Sequence, residues 1–385
     1  MKIVMLLLSF FSMFFPLMVN AENETSLAPK AKSAIMIEAT TGDIIFEKNA
    51  DEKLPPASMT KIMSMLLIIE SIEKGVIAWD EMVTVSENAS GMGGSQILLE
   101  TGEEMSVEDL FKGIAIASGN DAVVALAEKI AGTEEMFVDM MNEKAKKLGL
   151  TNTNFKNPHG LDEVNHYSTA RDMSTMAREL VKHKKVLEYT SIYETYLREN
   201  LDTKVWLVNT NKLVRFYDGI DGLKTGYTKG AGYCLTATAK KNNMRLIAVV
   251  MGEETSQLRN SEITSMMDYG YAQYSLETLL DTDSILGKVE VDKGINRYVE
   301  VVPKENITFL NRKVAAKKNA TYKVKMDSVK APVKVGDVVG TIYVYEEEDV
   351  IRKVPVTVKE SVDKIGIIGL FFRNLGDIIA GDIKI

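Results

Sequence analysis

Ser58 and Lys61 stand three residues apart in Ser58-Met59-Thr60-Lys61, and two further polar strings follow in order, Ser118-Gly119-Asn120 and Lys224-Thr225-Gly226. A serine hydroxyl is nearly inert as a nucleophile until a base takes its proton, and one turn of helix brings residues i and i+3 together. Ser58 and Lys61 therefore read as nucleophile and base for an acyl-transfer reaction. Each string alone is weak, because a serine at a helix start is commonly a cap, an S-x-N a turn and a K-T-G a strand end. Ser71-Ile72-Glu73-Lys74 and Ser361-Val362-Asp363-Lys364 repeat the first pattern, and Ser86-Glu87-Asn88 repeats the second. Order and local context carry the specificity.

The elements that must hold these residues are legible around them. Pro55-Pro56 precedes Ser58 and an apolar run follows it (Ile62, Met63, Met65, Leu66, Leu67, Ile68, Ile69), so the spacing predicts a buried helix over 58–74 that ends near Gly75. Ser71 would fall at the far end of that helix and Ser361 in a polar stretch, both solvated. Residues 33–48 read as a hairpin, and 232–251 as another with its turn at Asn242-Asn243. Helical patterns cover 107–117, 121–131, 134–148, 169–183 and 256–275, giving an α+β domain with an antiparallel sheet and flanking helices. From about residue 285 the texture changes to short alternating runs, 288–291, 298–302, 322–326, 337–345 and 350–358, which predict a small all-β domain. The acid run Glu346–Asp349 reads as a solvated turn.

The two ends differ from both domains. Residues 1–21 carry Lys2, an apolar stretch from Ile3 to Val19 and a small-residue end at Val19-Asn20-Ala21, the pattern of a secretory leader. At the other end Ile365, Ile368, Phe372, Leu375 and Ile379 recur every three or four residues, widened into a face by Phe371 and Ile378. That predicts an amphipathic helix, too charged to span a bilayer, which either lies in a membrane interface or packs on its own protein. The expected organisation is a leader at 1–21, a catalytic domain at 22–281, a β-rich domain at 282–360 and the helix at 361–385. The chain carries 46 Lys and Arg against 54 Asp and Glu, a net charge of −8, which makes nucleic acid an unsuitable partner. Its single cysteine, Cys234, sits in an apolar alternating stretch and reads as a small core residue.

With these residues in hand, the chain resembles the low-molecular-mass penicillin-binding proteins of the D-alanyl-D-alanine carboxypeptidase type. The likeness rests on the three strings and on their flanks, Leu54-Pro55-Pro56-Ala57, Ile116-Ala117 with Asp121-Ala122, Asn157-Pro158-His159-Gly160-Leu161 and Asp221-Gly222-Leu223. It implies a serine peptidase that acts on peptidoglycan stem peptides, is acylated at Ser58, is inhibited by β-lactams and needs no cofactor. It also implies export, and an interfacial anchor on the outer face of the cytoplasmic membrane. Lys61 can act as base only if its pKa falls from about 10.4 toward about 7–8, through burial and a nearby cation, for which Lys224 is the candidate. The resemblance gives Ser118 a proton relay to the leaving amine. Asn120 would hydrogen-bond substrate or orient Lys61. Lys224, Thr225 and Gly226 would lie on an edge strand where the peptide and its terminal carboxylate dock, with backbone N–H groups of Ser58 and Tyr227 as the oxyanion hole. Many family members have His where this chain has Tyr227. Arg259 matches an arginine near the carboxylate.

Rival readings have less support in the sequence. His159, Asp162, Glu163 and His166 could suggest a zinc peptidase, but they crowd into one loop and no helical H-E-x-x-H occurs, so no metal is expected. A β-lactamase would need a second base, commonly a Glu, and the corresponding stretch reads Asn154-Phe155-Lys156-Asn157. A transpeptidase would share the acyl-enzyme, but the large N-terminal domain typical of dedicated cross-linking enzymes is missing from this sequence. A non-enzymatic wall-binding module would have little reason to hold all of Ser58, Lys61, Ser118, Asn120 and Lys224.

Overall fold

The computed structural model describes residues 27–314 and 320–380; the expected leader at 1–21 lies outside them. A central antiparallel sheet is built from β1 (Ser33–Glu38), β2 (Ile44–Lys48), β3 (Ile220–Thr228), β4 (Gly232–Lys241) and β5 (Met244–Glu253), in the spatial order β2-β1-β5-β4-β3. Both expected hairpins form. The turn between β4 and β5 places Asn242 and Asn243 at φ +48° and +64°, the left-handed backbone that a two-residue hairpin needs and that asparagine tolerates.

Alternation along β1 and β5 feeds two cores. Ile35, Ile37, Ile247 and Val249 enter the larger one with α1 (Lys61–Glu73), α2 (Asn120–Ala131) and α3 (Ala170–Leu180). Ala34, Met36, Ala248 and Val250 face the other way, against Ile263, Met266 and Met267 of α4 (Ser256–Gln273). Helices thus cover both faces, as the α+β reading requires. α1 is enclosed on all sides and stops before Gly75, whose φ of +71° breaks the helix. The predicted helix at 58–74 is in fact two pieces, because Ala57–Thr60 forms a tighter 3-10 turn ahead of α1. The predicted helix at 107–117 also divides, into α-helical Val107–Lys112 and a wider π-turn, Gly113–Ala117, which delivers Ser118 in left-handed conformation.

Beyond α4 the β-rich domain has a six-stranded sheet containing all five predicted runs, around a core of Val299, Val301, Ile342, Val344, Val354 and Val356. The sixth strand, Val329–Lys330, was not read from the sequence, nor were Tyr274–Leu280 and Ile307–Arg312, which pair with each other. The predicted helix therefore ends at Gln273, and the expected boundary at 281 falls just after a strand whose partner lies on the other side. The acid run makes the turn between strands Val338–Glu346 and Asp349–Val358.

The tail forms α5 (Ile367–Ala380), with Ile365 ahead of it bonded to the Lys293 carbonyl. Its polar side is fastened to the β-rich domain: Arg373 donates to the carbonyls of Gly294 and Ile295 at 2.7 and 2.8 Å, and Asp377 pairs with Arg297 at 2.9 Å. Seven of its apolar residues, Ile367, Ile368, Phe371, Phe372, Leu375, Ile378 and Ile379, are exposed, and Leu370 is partly covered. Among the described residues no helix is long and apolar enough to cross a membrane.

Two glycines let the surroundings close on the Ala57–Thr60 turn. A Cβ at Gly160, where φ is +89°, would lie 1.9 Å from the Ala57 carbonyl oxygen, and one at Gly226 would lie 2.8 Å from that of Pro56. Gly75 has a similar φ but open space around it. Gly160→Ala is therefore expected to cost on the order of 2–4 kcal/mol, against about 1–2 for Gly75→Ala, which bears only the backbone penalty. Denaturant unfolding of the two variants measures the difference; equal losses would mean that the close approach at 160 carries no weight.

Candidate active site

Ser58 is set by strained backbone. Ala57 before it holds φ +47°, a conformation that costs a side-chain-bearing residue about 1–2 kcal/mol. The Ser58 hydroxyl lies 3.1 Å from Lys61 Nζ. Lys61 has no solvent exposure, and its Nζ also donates to Asn120 Oδ1 at 2.6 Å and to the His159 carbonyl at 2.8 Å. A neutral amine has two N–H groups and one lone pair. With the N–H groups committed to Asn120 and His159, the lone pair is left for the Ser58 proton. Burial is the main force pushing the Lys61 pKa well down, the charge of Lys224 adds to it, and Asp121 opposes.

The Asn120 amide is fixed at both ends, since its Nδ2 donates to the Gly93 carbonyl at 2.6 Å. Ser118, at φ +66°, is buried, and its hydroxyl has no hydrogen-bond partner among the described residues. Lys224 lies buried on β3, the sheet's edge strand, with Nζ donating to its neighbour's carbonyl, that of Thr225, at 3.0 Å. The Thr225 hydroxyl donates to Thr210 at 2.8 Å. Gly226 passes against the main chain of Pro56 and Met59. Tyr227 is half exposed, with its ring 4.4 Å from that of Tyr233 on β4.

Arg259, in the first turn of α4, is buried, and among the described residues its guanidinium bonds to Asn260 beside it. Among the described residues no carboxylate pairs with Lys61, Lys224 or Arg259. Burial first and the charge of Arg259 second bring Lys224 down to about 7. Lys224, expected as the cation beside Lys61, thus holds its proton less firmly than an exposed lysine does.

The histidine loop has other work. His166 accepts from the Lys156 N–H at 3.0 Å through Nδ1, so Nε2 carries the proton and donates to Thr60 Oγ1 at 2.8 Å; burial takes its pKa down to about 4. His159 Nδ1 accepts from Leu161 N, and Nε2 faces Glu134 at 3.4 Å. Asp162 takes Thr228 and Gly230. Among the described residues no three potential ligands converge as a metal site. What His159 brings to Lys61 is a main-chain carbonyl, which has no side-chain signature and escaped the sequence reading. Asp121 escaped it too, because an acid in the first turn of a helix reads as ordinary capping.

Comparisons with known proteins agree with this constellation. Residues 19–255 match the family model described as D-alanyl-D-alanine carboxypeptidase, and residues 274–364 match the C-terminal domain of penicillin-binding protein 5. The chain is 50% identical over 359 residues to D-alanyl-D-alanine carboxypeptidase DacF of Bacillus subtilis, covering 93% of this chain and 92% of that one. Its fold is similar to that of penicillin-binding protein 5 from Haemophilus influenzae, with a TM-score of 0.71 and 30% identity over 87% of this chain and 98% of that one. It is also similar to penicillin-binding protein D2 from Listeria monocytogenes in the ampicillin-bound form, with a TM-score of 0.57 and 31% identity over 63% of this chain and 98% of that one. The chain belongs to the D-alanyl-D-alanine carboxypeptidase family of penicillin-binding proteins.

Proposed function

We propose that this carboxypeptidase trims the terminal D-Ala from peptidoglycan stem pentapeptides with Ser58 as nucleophile and Lys61 as base. The observation that carries the reading is the enclosed Lys61 amine, 3.1 Å from the Ser58 hydroxyl with its two other bonds taken by Asn120 and the His159 carbonyl. Lys61 takes the Ser58 proton as Oγ attacks the carbonyl of the penultimate D-Ala. The backbone N–H groups of Ser58 and Tyr227 receive the oxyanion, a role that the close passage of Gly226 past the Ser58 turn supports. The C–N bond breaks, and the leaving amine takes a proton through Ser118, whose buried hydroxyl is free for a visiting group. Water then enters along the reverse route, giving its proton to Lys61 and releasing Ser58. Lys224 and Arg259, two buried cations without a carboxylate, suit the substrate's terminal carboxylate, with Thr225 beside them. β-Lactams acylate the same serine in this reading.

Residues 22–281 would carry this chemistry, and 282–360 would space it from α5. The leader at 1–21 would export the protein, and α5 would seat it in the interface of the cytoplasmic membrane's outer face. What supports the seat is that the polar side of α5 is already engaged by its own domain while its apolar side is uncovered. Burying such side chains contributes roughly 1.5–3 kcal/mol each when complete and less when partial.

Three outcomes are expected. Labelled penicillin should attach to Ser58, as read by mass spectrometry of the modified peptide, and Ser58→Ala should abolish labelling while the protein stays folded; persistent labelling would move the nucleophile elsewhere. Second, kcat/KM for a stem pentapeptide should rise with pH as Lys61 loses its proton and fall again as Lys224 loses its own near pH 7, since its pKa is about 7. Lys61→Arg, whose guanidinium cannot deprotonate, should lose at least about a hundredfold in rate, far more than it loses in folding stability. A near-normal rate in that variant would sink the base assignment. Third, deleting 363–385 should leave a fully active enzyme that no longer sediments with lipid vesicles, because α5 buries none of its own residues. High salt should not release the intact protein, whereas detergent should; a truncated chain that fails to fold would make the helix a packing element instead.

A further inference from the structure

Asp121 has no role in the steps above, yet it is fully enclosed. A buried carboxylate is costly unless its oxygens are satisfied. Here they accept from the backbone N–H of Ile97 at 2.9 and 3.1 Å, of Leu99 at 3.2 Å and of Ala122 at 2.8 Å. Among the described residues none of these partners is a cation. Two of them belong to the stretch 93–99, and that stretch touches the site. Gly93 offers its carbonyl to the Asn120 side chain, and Ser95 offers its own to the Asn120 N–H at 2.7 Å. From the other side Arg198 donates to the carbonyls of Ile97 and Leu98, both at 3.1 Å, and pairs with Glu103. Asp121 takes the N–H groups of this stretch and Arg198 its carbonyls. Leu98 is left between them at φ +60° with its side chain exposed, a strained state that a loosely held loop would relax.

We propose that Asp121 is a positioning residue for the base: it pins the stretch 93–99 so that Asn120 stays on the Lys61 amine, and it places a negative charge within electrostatic reach of that amine. The inference rests on the Ser58 and Lys61 reading. The charged groups acting on Lys61 are Lys224 from β3, which lowers its basicity, and Asp121 from α2, which raises it. Arg259 on α4 acts on Lys224, and the His159 ring, on the loop packed against Lys61, faces Glu134 on the helix that follows α2. A base that is too weak stops taking protons just as one that is too strong stays protonated. Asp121 opposes the downward pull that burial and Lys224 exert on Lys61.

The test is the pH profile of Ser58 acylation by labelled penicillin in Asp121→Asn and Asp121→Glu, with thermal melting of each. Asp121→Asn removes the charge and sets an NH2 against a backbone N–H. Its acid limb is expected to move about one unit to lower pH, with a plateau about 10–100-fold below wild type. Asp121→Glu keeps the charge on a longer arm, so its limb should stay where wild type has it while the plateau falls. A folded Asp121→Asn with the wild-type limb and plateau would overturn the proposal. If Asp121→Asn does not fold, Asp121→Glu decides: a lowered plateau on an unmoved limb supports positioning, and a wild-type profile refutes it. Absence of label on Ser58 in the wild-type enzyme would refute the underlying reading instead.

Discussion

The Lys61 amine is fully enclosed by protein, and the rest of the site is arranged by that condition. An ammonium ion in such a place loses its hydration and must recover it from the protein or shed its proton. The surroundings offer uncharged acceptors, an amide oxygen and a main-chain carbonyl, rather than a bonded carboxylate, so shedding the proton is favoured. Those acceptors come from α2 and from the loop at 157–161, and the serine comes from the turn ahead of α1. Holding three elements on one nitrogen costs backbone strain, at Ala57 and at Ser118, and the packed core around α1 offsets it.

A second pair of cations extends the same logic. Burial first and the charge of Arg259 second lower the Lys224 pKa, burial lowers that of Arg259, and among the described residues no carboxylate pairs with either. In the proposed reaction a substrate carboxylate arriving there would restore the Lys224 proton, so that recognition of a free C-terminus would be coupled to proton uptake near neutral pH.

Much of this could be read from the sequence, and the gaps have physical causes. The three strings survived because they are side chains at fixed spacings, and the apolar run after Ser58 announced the helix that holds them. The strand Tyr274–Leu280 overlaps the helical pattern at 256–275 by two residues and was otherwise unread, since its partner Ile307–Arg312 is some thirty residues away and the pairing is not local. The His159 carbonyl is invisible to any reading of residue types. The lowered pKa of Lys224 follows from burial beside Arg259, which only the folded chain brings about. Asp121 was in plain view next to Asn120 but indistinguishable from a cap, until the fold laid the N–H groups of Ile97 and Leu99 across it.

The close fit of Gly160 and Gly226 on the nucleophile's turn has an evolutionary side. Under exposure to β-lactams, selection favours targets that react less with the drug and still turn over their substrate. Reshaping the wall behind Ser58 is closed to such selection, because a side chain at either glycine runs into the main chain of Pro56 or Ala57. Freedom to vary lies at exposed positions, where Tyr227 and Leu98 stand partly in solvent. Drug escape in this fold is therefore channelled away from the turn that carries Ser58 and toward exposed residues.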